Sequence, residues 1–289
     1  MMNILITGAN GQLGREILRQ QTLLKPDNTL HFTDKEELDI TNPQELKKYT
    51  SEGQIDTIIN CAAFTDVDGA ENDPESAYLI NDTAVGNLAS IALEKNIRLI
   101  HVSTDYVFDG HHYKPYRETD TPRPQGVYGK SKLAGEQRIM KKQAGMIIRT
   151  AWLYSPHGKN FVKTISRLVK EKEELKVIYD QIGSPTHAGD LAHAILQILK
   201  KSPKDHQLSG IYHYANEGVC SWYDFAKEIA RLKGSSCIIH PIESKDWPTP
   251  APRPHYSVFN KQKIKDHFSI PIPYWRDSLG QMLKENQNG

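Results

Sequence analysis

What most limits the fold of this chain is the alternation, through its first half, of short apolar runs with amphipathic stretches. The runs are "NILIT", "TLHFTD", "DTIINCAA", "IRLIHVSTD" and "GMIIRTAWLY". Between them, helical patterns extend from about Gln12 to Leu23, onward from Asn42-Pro43, from Pro74 to Lys95 and from Val127 to Lys142. Brief apolar runs alternating with helices predict an α/β fold of Rossmann type, a doubly wound parallel sheet covered by helices on both faces. Beyond about residue 155 the pattern loosens. Helices are expected over Asn160–Lys172 and over Gly189–Lys200, the latter opening on Asp190, with strands at "LKVI" and "GIYHYAN". "SWYDFAKEIARL" reads as an amphipathic helix capped by Ser221. "DWPTPAPRPHYS" carries four prolines, which lack the donor that a central strand or helix needs, so it reads as an extended surface or cleft-lining segment. The expected organisation is a dinucleotide-binding unit over residues 1–154 and a smaller, mainly substrate-binding C-terminal lobe over 155–289, some segments of which return to the first unit.

The bulk composition narrows the partners. Lys and Arg number 36 against 35 Asp and Glu, so no electrostatic case exists for nucleic acid or an anionic membrane. No stretch approaches the roughly 20 apolar residues of a membrane span. The N-terminus runs straight into the first apolar run, leaving no room for a signal peptide, so a cytoplasmic protein is expected. Cys61, Cys220 and Cys237 are far apart and without metal spacing, as free thiols of a reducing compartment would be. His111-His112 sits in a loop-like stretch with no third ligand at a useful spacing, and reads as a solvated pair.

Three glycines spaced three apart, Gly8, Gly11 and Gly14, separate the first apolar run from the first helix. A helix that starts at the carboxyl end of a parallel strand points free amides outward, a ready place for a pyrophosphate. Gly8 would make the tight turn, Gly11 would let backbone approach phosphate, and Gly14 would let the helix pack closely. The G-x-x-G-x-x-G spacing also suits an ordinary strand-to-helix turn. Asp34, twenty residues after Gly14 at the end of "TLHFTD", can accept hydrogen bonds from an adenosine ribose. Together the two features favour a bound dinucleotide.

"YGKSK" places Tyr128 and Lys132 at i and i+4, on one face of a helix. A free phenol, with a pKa of about 10, exchanges protons poorly near neutrality, and a neighbouring ammonium should lower that value. By itself the pair also suits a solvated surface. Ser103-Thr104, however, ends "IRLIHVSTD", where open α/β sheets present catalytic groups, and a hydroxyl there can orient a carbonyl beside the phenol. Hydride donor, phenol, lysine and hydroxyl together make a carbonyl reduction.

"TGANGQLG", "NCAAFTDVDGAE", "STDYVFDG", "YGKSKLAGE", "RTAWLY", "DQIGSPT" and "PTPAPRP" occur in that order from about Asn3 to Leu283. With these blocks the chain resembles the extended short-chain dehydrogenase/reductase family. The resemblance implies NAD(P)H-dependent reduction of the C4 keto group of dTDP-4-dehydro-L-rhamnose. It makes Tyr128 the proton donor, Lys132 its partner and ribose ligand, and Thr104 the carbonyl-orienting hydroxyl. Asn10, Gly11, Gln12 and Leu13 would line the pyrophosphate, Asp34, Asp39 and Ile40 the adenosine side, and Ala62, Ala63 and Phe64 the nicotinamide half. Asp105, Trp152 and Arg253 would face the sugar nucleotide, and Asn81 matches the family's structural or proton-relay asparagine. NADP (as NADPH) is the implied cofactor, with NAD also accepted: Asp34 favours NADH, while Lys35 beside it can meet a 2′-phosphate. Some relatives use Mg²⁺ at a homodimer contact, but no acidic cluster in this sequence calls for a metal. Sister dehydratases follow the Thr with Asp-Glu, whereas here Tyr106 follows Asp105, and the extra Cys or His of epimerases does not stand out near the motifs. A further alternative is a non-catalytic dinucleotide-binding subunit like the β subunit of methionine adenosyltransferase.

Overall fold

The computed structural model describes residues 2–202 and 208–285. Six parallel strands form its central sheet: β1 (Asn3–Thr7), β2 (Thr29–Thr33), β3 (Thr57–Asn60), β4 (Arg98–Thr104), β5 (Met146–Thr150) and β6 (Gly210–His213). Their spatial order is β6-β5-β4-β3-β1-β2, with all neighbours parallel. The chain runs outward from β1 to β2, then crosses back to β3. The reversal between β1 and β3 opens a crevice at the carboxyl ends of the strands, the usual ligand position in such sheets.

Eleven α-helices are described: α1 (Gln12–Arg19), α2 (Pro43–Glu52), α3 (Val67–Asn72), α4 (Pro74–Tyr78), α5 (Ala84–Glu94), α6 (Val127–Lys142), α7 (Phe161–Glu171), α8 (Ala188–Lys201), α9 (Trp222–Leu232), α10 (Gln262–Phe268) and α11 (Trp275–Glu285). Strand side chains alternate in direction, and both faces of the sheet are apolar because both are covered. Ile4, Ile6, Ile59, Ile100 and Ile148 join Leu13 and Ile17 of α1 and Leu191 and Ile195 of α8 in one core. Leu5, Ile58, Leu99 and Ile147 join Leu46 of α2, Leu88 of α5 and Ile139 of α6 in the other. A third core, built from later segments, gathers Tyr154, Val162 and Ile165 of α7, Phe225 and Ile229 of α9, and Trp275 and Leu279 of α11.

Several elements depart from the sequence reading. α1 ends at Arg19, and Gln21–Leu23 tightens into a 3₁₀ turn ahead of Pro26. The helix expected from Pro74 to Lys95 contains a π-turn at Leu79–Thr83, one residue too many for the α pitch. "GMIIRTAWLY" is not one strand: Trp152 takes a left-handed φ of 49°, and the chain resumes as Leu153–Tyr154 beside Thr186–His187. Ile238–Ile242 pairs in parallel with Glu174–Ile178, a strand that Pro241 and mixed exposure concealed. Helices α3, α10 and α11 were not foreseen either. In the proline-rich segment Tyr256 forms a single parallel bridge to Ile182, and a 3₁₀ turn, Ser244–Asp246, lies at its edge. Among the described residues no helix is long and apolar enough to cross a membrane.

Candidate active site

The glycine turn is fixed by close approach. Gly8 has φ 66°, and a Cβ there would lie 2.6 Å from the backbone nitrogen of Ala62. A Cβ on Gly14 would lie 2.6 Å from Ala9 Cα, so this glycine seats the helix against the turn itself. Gly11 is the N-cap of α1, with no side-chain cap and no acidic residue in the first turn. The first-turn amides of α1 are therefore left without a side-chain acceptor just past the carboxyl end of β1, an electropositive cradle suited to a pyrophosphate.

The other predicted cofactor residues surround this turn. Asp34 directly follows β2 and accepts from the Asn10 amide at 3.1 Å. The Asp39 carboxylate takes the hydroxyl and amide of Thr41 at 2.7 and 2.9 Å, and these two donors hold it below the usual carboxylate range. Ile40 is buried, and its carbonyl accepts from Asn87 at 3.2 Å. Leu13 is buried in the core, so only its backbone is available to a ligand. The Gln12 side chain instead reaches the later segments, accepting from Ser155 Oγ at 3.1 Å and Asn160 Nδ2 at 2.9 Å. Ala62, Ala63 and Phe64 lie half-buried just past β3. Asn81, on the π-turn, clamps Phe64 from both sides, accepting from its amide and donating to its carbonyl at 3.0 Å each, and it also donates to Ser131 Oγ of α6 at 3.1 Å.

α6 spans the predicted Val127–Lys142 and packs tightly because two of its residues lack a Cβ. A Cβ on Gly129 would run into the Tyr106 carbonyl oxygen, and one on Gly135 into that of Asn81. Half-buried Tyr128 packs its ring edge-on against Tyr106 at 5.4 Å. Lys132 is 2 % exposed and donates to the Val102 carbonyl at 2.7 Å. Thr104 ends β4, with its hydroxyl donating to Asp105 Oδ1 at 3.1 Å and accepting from the Tyr106 amide at 3.2 Å. The structure thus brings Thr104, Asp105, Tyr128 and Lys132 together at the carboxyl end of β4.

The electrostatics differ from the sequence expectation. Burial pushes the Tyr128 phenol up to about 12; the Thr104 hydroxyl works against that rise and the Asp105 charge adds to it. The expected lowering by Lys132 does not appear: burial dominates the phenol, and the lysine nitrogen donates to the Val102 carbonyl. Burial likewise pushes Lys132 down to about 8. It raises Asp105 to about 6, against the opposing hydroxyls of Ser257 and Thr104. A carboxyl raised in the folded state stabilises the fold fully below its ordinary value of 3.8, and that contribution is lost as pH rises through about 6. Asp105→Asn removes the loss. In denaturation series, the variant is expected to gain stability relative to the parent on moving from acid to mildly alkaline pH; an unchanging difference would discard this account.

Trp152 is half-buried, and its ring stacks on Trp222 at 3.5 Å between centroids. A Cβ on Gly183 would come within 2.6 Å of the Trp152 ring. Its left-handed backbone turns the chain at the end of β5. Arg253 bonds Asp68 at 2.7 Å, while its Nη1 is buried without a partner among the described residues. Sequence reasoning missed Asp68, Asn60, His101 and the Glu136–Arg149 pair. The available signal was a polar residue ending or interrupting an otherwise apolar strand, as in "TIIN" and "RLIHVST". Among the described residues, no three His, Cys, Asp or Glu side chains are grouped to hold a metal ion. The three cysteines are free.

Known proteins resemble this chain over its whole length. The family described as RmlD substrate binding domain matches residues 2–288. The spore coat polysaccharide biosynthesis protein SpsK of Bacillus subtilis is 38% identical over 289 residues, covering 100% of this chain and 99% of that protein. The crystal structure of a dTDP-4-dehydrorhamnose reductase from Clostridium acetobutylicum superposes with a TM-score of 0.92 at 42% identity, covering 99% of this chain and 100% of that one. The Bacillus anthracis dTDP-4-dehydrorhamnose reductase, solved in complex with NADP, gives a TM-score of 0.92 at 38% identity with the same coverage. Likeness of this degree extends through the glycine turn, the Tyr–Lys helix and the later lobe together, and the chain belongs to the dTDP-4-dehydrorhamnose reductase family of extended short-chain dehydrogenases/reductases.

Proposed function

We propose that this protein reduces the C4 keto group of dTDP-4-dehydro-L-rhamnose to dTDP-L-rhamnose, a precursor of cell-surface polysaccharide. The observation that carries the reading is the grouping of Thr104, Tyr128 and Lys132 beside the uncapped glycine turn. The uncapped amides of α1 fit a dinucleotide pyrophosphate, and a reduced nicotinamide bound there supplies the hydride. Thr104 orients the keto oxygen, and Tyr128 gives its phenolic proton to that oxygen as charge develops on it. Lys132 holds the nicotinamide ribose and supports Tyr128. Asp34, Asp39 and Ile40 flank the adenosine, and Ala62, Ala63 and Phe64 the nicotinamide half. Asp105, Trp152 and Arg253 face the sugar nucleotide, the unpartnered Arg253 Nη1 offering a donor to its phosphate or base.

The reading has a direct test. NADPH should be consumed stoichiometrically when dTDP-4-dehydro-L-rhamnose is supplied; NADPH binding without consumption would point instead to a non-catalytic binding subunit. Lys35 is exposed beside Asp34 and reads as the 2′-phosphate contact. Lys35→Ala is therefore expected to raise KM for NADPH more than for NADH, and equal effects would remove Lys35 from that role.

The dinucleotide unit spans residues 1–154 and the substrate lobe 155–289, with α8 and β6 returning to the first unit. The third core and the packing of α8 on α1 support this division. The nucleotide substrate and the free thiols suit a cytoplasmic protein, and the homodimer that the resemblance implies is checked by light scattering.

A further inference from the structure

Beneath Tyr128 a string of polar side chains crosses three strands, closed to solvent along its length. Thr7 of β1, Asn60 of β3, His101 of β4 and Lys132 of α6 are 1, 0, 0 and 2 % exposed. Asn60 Oδ1 accepts from Thr7 Oγ1 at 2.6 Å and from the Ala62 amide at 3.2 Å. Asn60 Nδ2 lies 2.8 Å from His101 Nδ1, and His101 Nε2 lies 3.4 Å from Lys132 Nζ.

These contacts fix where the imidazole hydrogen sits. A backbone N–H only donates, so Ala62 identifies the Asn60 oxygen and turns its amide nitrogen onto His101. That nitrogen also only donates, so His101 Nδ1 accepts. Burial and the adjoining Lys132 charge keep the ring neutral, its pKa well below the ordinary histidine value. A neutral imidazole that accepts at Nδ1 carries its hydrogen on Nε2.

We propose that His101 is a positioning residue for Lys132: its Nε2–H, oriented by Asn60, faces the lysine nitrogen and favours the uncharged amine. An ammonium has donors and no lone pair, so it meets this N–H as donor against donor, whereas an amine accepts from it. Burial acts in the same direction and brings Lys132 down to about 8, against the charge of Glu136 and a lesser effect of Cys61. Arg149 of β5 binds that Glu136 carboxylate, and Tyr128 presents a neutral phenol from the same helix as Lys132. Lys132 is thereby poised between its two protonation states near working pH. The bearing of this poise on catalysis rests on the reduction proposed above; the tautomer and the lysine titration do not.

The test follows the Lys132 titration in the cofactor-free protein, by NMR of ¹³C-labelled lysine side chains assigned with Lys132→Arg. His101→Phe keeps a ring and removes the N–H, and it is expected to raise the midpoint by roughly one pH unit. His101→Gln can accept from Asn60 through its oxygen and donate to Lys132 through its nitrogen, so it is expected to leave the midpoint in place. An unmoved midpoint in a folded Phe variant overturns the proposal, as does an equal rise in both variants. Should the Phe variant not fold, the Gln variant decides alone: a midpoint in place supports the proposal, and one that climbs towards the ordinary lysine value overturns it. Failure of the substrate assignment is separate, appearing as absent NADPH consumption with the titration unaffected.

Discussion

Tyr128→Phe is expected to lower kcat by about 10²–10⁴-fold, the usual yield of a positioned general acid. At about 1.4 kcal/mol per decade, this corresponds to roughly 3–5 kcal/mol of transition-state stabilisation. The ring packs edge-on against Tyr106, and Phe preserves that contact while removing the transferable proton. With its phenol pushed up to about 12, Tyr128 stays protonated across the physiological range, as an acid must. Cofactor affinity should be nearly unchanged, since the glycine turn and Lys132 are untouched; single-turnover kinetics and fluorescence titration with NADPH separate the two quantities. Turnover near the parent rate would mean that the proton comes from another group.

The largest loss of stability is expected from Arg149→Met. Arg149 and Glu136 are 1 and 2 % exposed and meet through two parallel hydrogen bonds, at 2.9 and 2.6 Å. Removing one member of such a pair leaves the other charge buried alone, which typically costs about 3–5 kcal/mol. Adding Glu136→Leu to the same chain should recover most of that cost, because no charge then remains inside. Chemical denaturation of the parent, both single variants and the double variant closes the cycle. A single variant that unfolds at the parent midpoint would show that water reaches the pair.

The parts of the molecule that sequence discloses are those settled by local rules. α6 was readable to its ends because "YGKSKLAGE" combines helix formers with a consistent buried face, and the first four strands because each is a short apolar run beside a turn. Trp152 was not readable: a bulky residue in left-handed backbone contradicts local preference and is imposed by packing against Trp222 and Gly183. The protonation pattern under Tyr128 was equally hidden. Asn60 and His101 are 41 residues apart and meet only because the sheet sets β3 beside β4. Burial, which reverses the expected lowering of the phenol, is likewise a property of the assembled protein.

The π-turn at Leu79–Thr83 carries a consequence for chain length. One surplus residue in a helix rotates everything beyond it by about 100° relative to a regular ladder. Deleting a single residue there would restore the straight helix and its backbone hydrogen bonds, an apparent local gain. It would also turn Asn81 away from Phe64 and Ser131, or else turn Val85 and Leu88 out of their core. The clamp beside the cofactor loop and the apolar face of α5 are thus tied to one count of residues, and an insertion or deletion in this segment should be tolerated far less than its surface position suggests.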